Sequence, residues 1–580
     1  MQLSRHRGQG QRRGLGKGHG TGSTEIGSSV VVAPLYDLPL DEFGVSIGWD
    51  LLNNKPARDM WDFRTIPNNT GTVHQVPSQK TFAQALLDVV RGDIIEVEAG
   101  TTHTGNFQLD IKTGTGWIIV RSSAHASLPA LGSRVTTAHT ANMFTLRSTS
   151  VNGRALQMQA SSSHWRFIGA IFTNESGSNN ADAIISSTPG LGGWSTKAAA
   201  PNNFVFDRCI IKEQATGGQR RGWTPAGVNL AAYGCRFGGF NDAGLSDSQC
   251  VGTWVYCSRL HLENCYLGYA TEHIIFGGSA PATLDGSNDD TWPRDIVVHR
   301  CEFQSDGSTT QSRKNLFEIK NAERGVLANC VFRGFRRAPA STHDLILNFG
   351  CQENNAAFAD FVHCRHWTVR GNLLYDCIGD IFSCFGNNGT PVNDTSHHLE
   401  LSYNYTWGHP GGSTIDGFCR FSHRASYEIA IFNNTAIDLP HTTIEFGNDG
   451  PVFGTYQDPF GSEFSRRIYN NAFAYNSQFG WFAYQTSLNT KYGTNNWHVS
   501  HNSSIDSVNE DITIQPGGTP DNTGTNATLG SVADFKFTDP TNDDYSLQVD
   551  SPLVGTALGG GNRGGHWETF QANIAGVETG

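Results

Sequence analysis

A six-residue pattern recurs through the middle of this 580-residue chain: an apolar residue, two variable positions, Cys or Asn, one variable position, then usually an apolar residue. It reads FDRCII at Cys209, AYGCRF at Cys235, LENCYL at Cys265, VHRCEF at Cys301, LANCVF at Cys330 and VRGNLL at Asn372. It continues as LSYNYT at Asn404, IFNNTA at Asn434, IYNNAF at Asn471 and VSHNSS at Asn502. The intervals are 26, 30, 36, 29, 42, 32, 30, 37 and 31 residues. A constant short core at uneven spacing implies a fixed strand and turn joined by loops of variable length. Most units hold a second apolar segment, such as EHIIFGG, LFEIKN, LILNFG or DIFSCFG, and no helical period intervenes.

One such unit cannot close a core. Stacked units bury a continuous column of side chains, like above like, at about 4.8 Å. The pattern therefore predicts an all-β solenoid of parallel strands, two or three per coil. Cys and Asn then occupy one equivalent position on successive coils, where thiols suit a packed interior and asparagines form amide ladders at turns. The twelve cysteines follow the repeat rather than loop pairs, and parallel Cβ vectors would hold stacked sulfurs in poor disulfide geometry. Cys265, Cys301 and Cys330 are expected aligned and reduced, as suits folding in a reducing cytosol.

Charge limits the partners. Only 16% of residues are charged and the net charge is −12, so the body is not built to hold nucleic acid. Residues 1–28 form a Gly-rich arm with Arg5, Arg7, Arg12, Arg13 and Lys17. That arm is expected to be flexible, or else to anchor on an acidic partner or a capsid shell. No run approaches the roughly 18 apolar residues of a membrane helix, and no apolar signal core follows the basic start. The expectation is a cytosolic protein, a mature form or one released by lysis, with a virion or extracellular destination favoured. Residues 29–75 read as a docking segment, because VVVAPLYDLPLDEFGVSIGWDLL at 30–52 is apolar enough to cover the helix end or a neighbouring subunit. Residues 561–580 read as a C-terminal tail.

The stretch PSQKTFAQALLDVVRGDIIEVEAGTTHTGNFQL places a candidate N-cap at Ser78, an apolar face at Phe82, Leu86 and Val90, and a stop at Gly92. Followed by its first coil, it resembles the opening of the right-handed parallel β-helix superfamily of pectin lyase type. DYSLQVDSPLVGTALGGG is similar to the last coil of many members. The resemblance spans residues 76–560 and implies a single-stranded right-handed parallel β-helix with an N-terminal capping helix. This architecture hosts lyases, hydrolases, epimerases, adhesins and phage tailspikes. The implied function is carbohydrate-directed: a polysaccharide lyase or depolymerase in a virion or surface setting, or a non-catalytic structural or receptor-binding spike. A homo-oligomer, such as a trimer, is implied with it.

Candidate site residues start at KNLFEIKN, 314–321. Alternation puts Phe317 and Ile319 inward and Glu318 and Lys320 outward, about 7 Å apart. In β-helix lyases a basic residue takes the proton beside a uronate carboxyl while Arg or Ca²⁺ neutralises the carboxylate. Lys320 as base, with Glu318 tuning it or binding a cation and a loop residue such as Arg294 or Arg324 as helper, would fit that chemistry, although no lyase motif carries over residue by residue. The plain alternative is a solvated ion pair on an exposed strand. The outward column reads Ile275, Glu318, Asn348, Cys384, Arg420 and Glu445, making Asn348, Arg420 and Glu445 substrate-binding candidates. Glu318 and Glu445 are four coils apart, about 19 Å, too far for the carboxyl pair of a hydrolase. Arg420 and Glu445, on adjacent coils, read as a salt bridge. In LDGSNDDTWPRD, Asp285, Asp289 and Asp290 are candidate Ca²⁺ ligands, though Asp, Asn, Gly and Ser are also ordinary turn residues. Trp292, Trp194 and Trp223 either stack on sugars or plug the coil ends. His363, His366, His397 and His398 show no metal-ligand spacing.

Overall fold

The computed structural model describes residues 48–50, 55–56, 63–148, 154–174, 179–187, 194–212, 218–240, 247–278, 284, 291–305, 314–336, 345–350, 364–385, 397–408, 418–422, 427–437, 444–446, 466–469, 471–474, 481–483, 497–500, 502–504, 527–529, 531–542, 544–557 and 562–577. The basic arm, Asp285, Asp289, Asp290 and His363 lie outside them, as does most of 30–52.

Each coil visits three parallel sheets in turn. Ser163–Ile168 lies in the first, Ala170–Thr173 in the second and Asn179–Ser186 in the third, and Asn202–Asp207 then re-enters the first beside Ser163–Ile168. Among the described residues the first and second sheets have 14 strands each and the third has 12. Crossovers between parallel strands take the right-handed sense that the twist of L-residues favours. Their cores merge into one column, in which Phe206 meets Phe167 at 5.9 Å, Phe172 at 5.5 Å and Trp223 at 5.2 Å. Each such buried ring stabilises the coil by about 1.5–3 kcal/mol.

The repeated Cys or Asn sits at the turn from the first sheet to the second. The residue before it is left-handed: φ is 48° at Arg208, 50° at Asn264, 53° at Asn329 and 55° at Tyr403, with glycine at 234 and 371. This single-residue corner frees one backbone N–H, and the side chain one coil on accepts it. The N–H of Cys265 donates to Cys301 Sγ and that of Cys301 to Cys330 Sγ, both at 3.4 Å. From Cys330 onward amides take over: Cys330 N–H donates to Asn372 Oδ1 at 2.9 Å, and the ladder continues through Asn404, Asn434, Asn471 and Asn502. Cys and Asn share a position because both are small and both present an acceptor there.

All eleven described cysteines are buried and unbridged. Burial pushes the Cys301 and Cys330 thiols well above the usual range, which keeps them from the reactive thiolate form. A maleimide labelling experiment should therefore leave these eleven unlabelled in the native protein and label them on unfolding. Rapid native labelling of several would contradict the stacked interior.

The ends differ from the sequence reading. The capping helix runs Phe82–Asp88, and its N-cap is Thr81, whose hydroxyl accepts from Gln84 N–H at 3.1 Å, not Ser78. The chain turns extended at Val89, so Gly92 is not the helix stop and Val90 is exposed. At the other end, the last parallel pairing among the described residues is at Ala527–Thr528. The segment expected to be a final coil instead forms an antiparallel hairpin, Phe537–Asp539 with Asp544–Leu547. The presumed tail holds helix Trp567–Ile574. Trp567 meets Tyr405 at 5.0 Å and Trp407 at 5.5 Å, so hairpin and helix clasp the outer face of the second sheet.

Just ahead of the coil, Phe63 and Arg64 lie on the outer face of the first sheet. Phe63 packs on Tyr233 and His261, and Arg64 pairs with Glu263 at 2.6 Å. Nearby, burial lowers the His299 pKa to about 4, against the attraction of Glu263 and with the help of the charges of His261, Arg300 and Arg64. The folded state holds this ring neutral while the unfolded chain protonates near the ordinary value of 6.5. Its contribution is present above that value and is lost as pH falls towards 4, by on the order of 2–3 kcal/mol. The melting temperature of the wild type should fall more steeply between pH 7 and 4.5 than that of His299→Gln. Parallel curves would refute the assignment.

Candidate functional site

The third sheet carries a charged cluster on its outer face. Its strands Glu272–Phe276, Asn315–Ile319, Leu345–Gly350, Asp380–Phe385, Cys419–Ser422 and Ile444–Phe446 pair in order. The register aligns Ile275, Glu318, Asn348, Ser383, Arg420 and Glu445. This is the expected outward column with one correction: Ser383 takes the place given to Cys384, which aligns with Phe349 and Phe421 and is buried in the core. Arg420 and Glu445 are register neighbours, as expected, and their side chains lie outside the description.

Glu318 and Lys320 are not a solvated pair. Glu318 is only 2% exposed, and its Oε1 accepts from Asn348 Nδ2 at 2.8 Å. Its Oε2 faces two ammonium groups, Lys314 at 3.5 Å and Lys320 at 3.7 Å. Lys314 also pairs with Glu272 at 2.5 Å and approaches Asp247 at 3.8 Å. Glu272, fully buried, accepts from Gln249 Nε2 at 2.8 Å, and Gln249 Oε1 accepts from Arg221 Nε at 3.1 Å. Two carboxylates are thus sunk into the sheet, and the lysines close the cluster towards solvent, with side chains 15% (Lys320) and 17% (Lys314) exposed.

The electrostatics follow from that arrangement. Burial, then the Glu318 charge, raises the Glu272 pKa despite the attraction of Lys314. Burial pulls the same way on Glu318, but Lys320 and Lys314 outweigh it and leave the pKa lowered. For Lys314 the desolvation cost is overcome by Glu318, Glu272 and Asp247, so its pKa is raised and it remains a fixed cation. Backbone shape makes room for the other lysine. Gly278 has φ 87°, and a Cβ there would lie 2.7 Å from Lys320 Cδ.

Sequence reasoning missed Glu272, Lys314 and Gln249 as members of this cluster. Strict alternation from the outward Ile275 puts Glu272 inward. The strands bend at their starts, where both Leu316 and Phe317, and both Ile346 and Leu347, join the core. The bend returns the preceding residue to the outer side. Lys314, four residues before Glu318, is the one signal in the sequence that could have pointed to the cluster.

Two candidates fall elsewhere. Arg294 lies in the first sheet, 2% exposed and 3.9 Å from Glu323, in a network that Arg324 and Arg365 share. It does not join Lys320. Trp292 is 3% exposed beneath the Arg294 guanidinium, Trp194 is buried in a side cluster and Trp223 in the coil core, so these rings are buried rather than offering faces to sugar. The rings of His366 and His398 lie 4.3 Å apart, tilted by 40°. Among the described residues no three His, Cys, Asp or Glu side chains converge to hold a metal. Glu272 and Glu318 have their charge met by lysines, which does not fit a divalent cation.

No family model and no curated protein matches the chain. Solved structures resemble its coil. An alginate lyase from Paenibacillus sp. str. FPU-7 is 13% identical, with 65% of this chain and 98% of that one covered at a TM-score of 0.31. The PL6 family alginate lyase AlyGC is 11% identical over 83% of this chain and 57% of its own, TM-score 0.43. The tailspike gp49 of Acinetobacter baumannii bacteriophage Fri1, a capsular polysaccharide depolymerase, is 10% identical over 74% and 58%, TM-score 0.32. The chain is a right-handed parallel β-helix. Within that β-helix, the cluster around Glu318 brings Asp247, Glu272 and Glu318 from three successive coils together with Lys314 and Lys320 on one outer face.

Proposed function

We propose that this β-helix is a polysaccharide lyase acting on a uronate-containing polymer. The observation that carries the reading is the pair of lysines flanking one buried carboxylate, Lys314 and Lys320 on Glu318. In the reaction, Lys320 Nζ as free amine takes the proton beside the uronate carboxyl. The electron pair of that C–H bond forms the ring C=C, and the glycosidic C–O bond breaks, its oxygen taking a proton from water. Lys314, held charged by Glu272 and Glu318, offsets the charge that builds on the uronate carboxylate. Glu318 and Asn348 hold the lysines in place from below. This assigns to Lys314 the neutralising role first expected of Arg294, and no step passes through Ca²⁺.

A hydrolase is less well supported, since Glu272 and Glu318 are buried under the lysines and neither can reach a glycosidic oxygen. The test is a panel of alginate, polygalacturonate and glycosaminoglycans, read by the ultraviolet absorbance of the unsaturated product. Absorbance growth on one polymer supports the lyase. No unsaturated product on any of them overturns it and leaves a non-catalytic carbohydrate-binding β-helix.

A further inference from the structure

We propose that Trp254 forms a sugar-stacking subsite two coils from Lys320 on the same face of the third sheet. The inference rests on the uronate reading above and adds a binding residue to it.

Trp254 follows the strand Gln249–Thr253, and its ring is partly exposed, unlike the buried rings of Trp194, Trp223 and Trp292. The register carries Thr253 to Phe276 and Phe276 to Ile319, so the next residues, Trp254, Gly277 and Lys320, fall in line. Two strand spacings, about 9.6 Å, separate the ends of that line. Between them lie Gly277 and Gly278, both with positive φ, whose lack of side chains lets Asn321 and the stem of Lys320 pack close to the backbone. The indole leans back over Gly252, where a Cβ would come within 2.9 Å of the ring.

The ring is also held in position. The Arg221 guanidinium lies 4.4 Å from its centroid, and Arg221 is fixed through Gln249 to Glu272, the carboxylate that holds Lys314. One chain of contacts thus ties the orientation of the indole to the charged cluster. A flat apolar ring suits the C–H face of a pyranose. An acidic polymer laid across the coils would rest one sugar on Trp254 and present another to Lys320.

The experiment compares wild type, Trp254→Ala and Trp254→Phe on the polyuronate panel, with titration calorimetry of size-defined oligouronates on the Lys320→Ala background. Trp254→Ala should raise KM and weaken oligouronate binding about tenfold with kcat little changed, and Trp254→Phe should recover most of the loss. Melting curves matching wild type exclude a folding defect, and if the alanine variant fails to fold, the phenylalanine variant against wild type still reads KM. Unchanged KM and binding in a folded Trp254→Ala overturn the subsite while the lyase reading stands. A wild type that neither cleaves nor binds any polymer of the panel overturns both.

Discussion

Replacing Lys320 with alanine should lower turnover of the cleaved polyuronate by about two orders of magnitude or more, while the protein stays folded with a modestly lowered melting temperature. The asymmetry follows from position. Lys320 reaches the outer surface of the cluster, and on its removal Glu318 keeps Lys314 and the Asn348 amide. Glu318 is buried, so the loss in stability should exceed that of a surface pair, at about 1–3 kcal/mol with Lys314 and Asn348 still in place. Lys320→Arg is the sharper variant, because guanidinium keeps the charge near Glu318 but does not release its proton. It should fold as wild type and be as inactive as the alanine form. Full activity in Lys320→Arg would remove the lysine as base, and loss of folding in Lys320→Ala would show its role to be structural.

The second large effect belongs to the asparagine ladder. Asn404 is fully buried, and its Oδ1 accepts from both the backbone N–H and the Nδ2 of Asn372 at 3.0 Å. Its Nδ2 donates to the Val369 carbonyl and to Asn434 Oδ1, also at 3.0 Å. Asn404→Ala strands two donors of Asn372 and an acceptor at Val369 inside the coil. With about 1–3 kcal/mol lost for each buried group left unmade, the variant should lose at least about 3 kcal/mol in denaturant unfolding. Asn404→Cys should lose less, since Cys330 fills the same corner and its sulfur accepts the Cys301 N–H. A loss under about 1 kcal/mol in Asn404→Ala, or equal losses in both variants, would contradict the ladder.

Much of this was readable from order alone. A solenoid places like residues above like, so the recurring Cys or Asn, the apolar segments between them and the outward column from Ile275 to Glu445 could be aligned without coordinates. Cys384 shows how far that alignment reaches. DIFSCF offers Ser383 and Cys384 as alternatives one residue apart, and only the pairing of Asn348 with Ser383 decides which faces out. At the ends the local pattern also misled. Ser78 and Thr81 are both acceptable caps, and Thr81 prevails because Phe82 must meet Phe107 and Phe144 to close the first coil. The last apolar stretch was long enough for a coil, yet its rings pack better as a clasp over Tyr405 and Trp407.

The sequence by itself determined the coil, its core and the ladder, because each arises from a short pattern repeated against its own copies. Tertiary structure alone decided the burial of Glu318, the recruitment of Glu272 and Lys314, and the removal of Arg294 and Trp292 from the site. Those outcomes depend on where a strand bends and on which sheet a side chain enters. A bend of one residue reverses the facing of everything before it, and no periodicity in the chain records it.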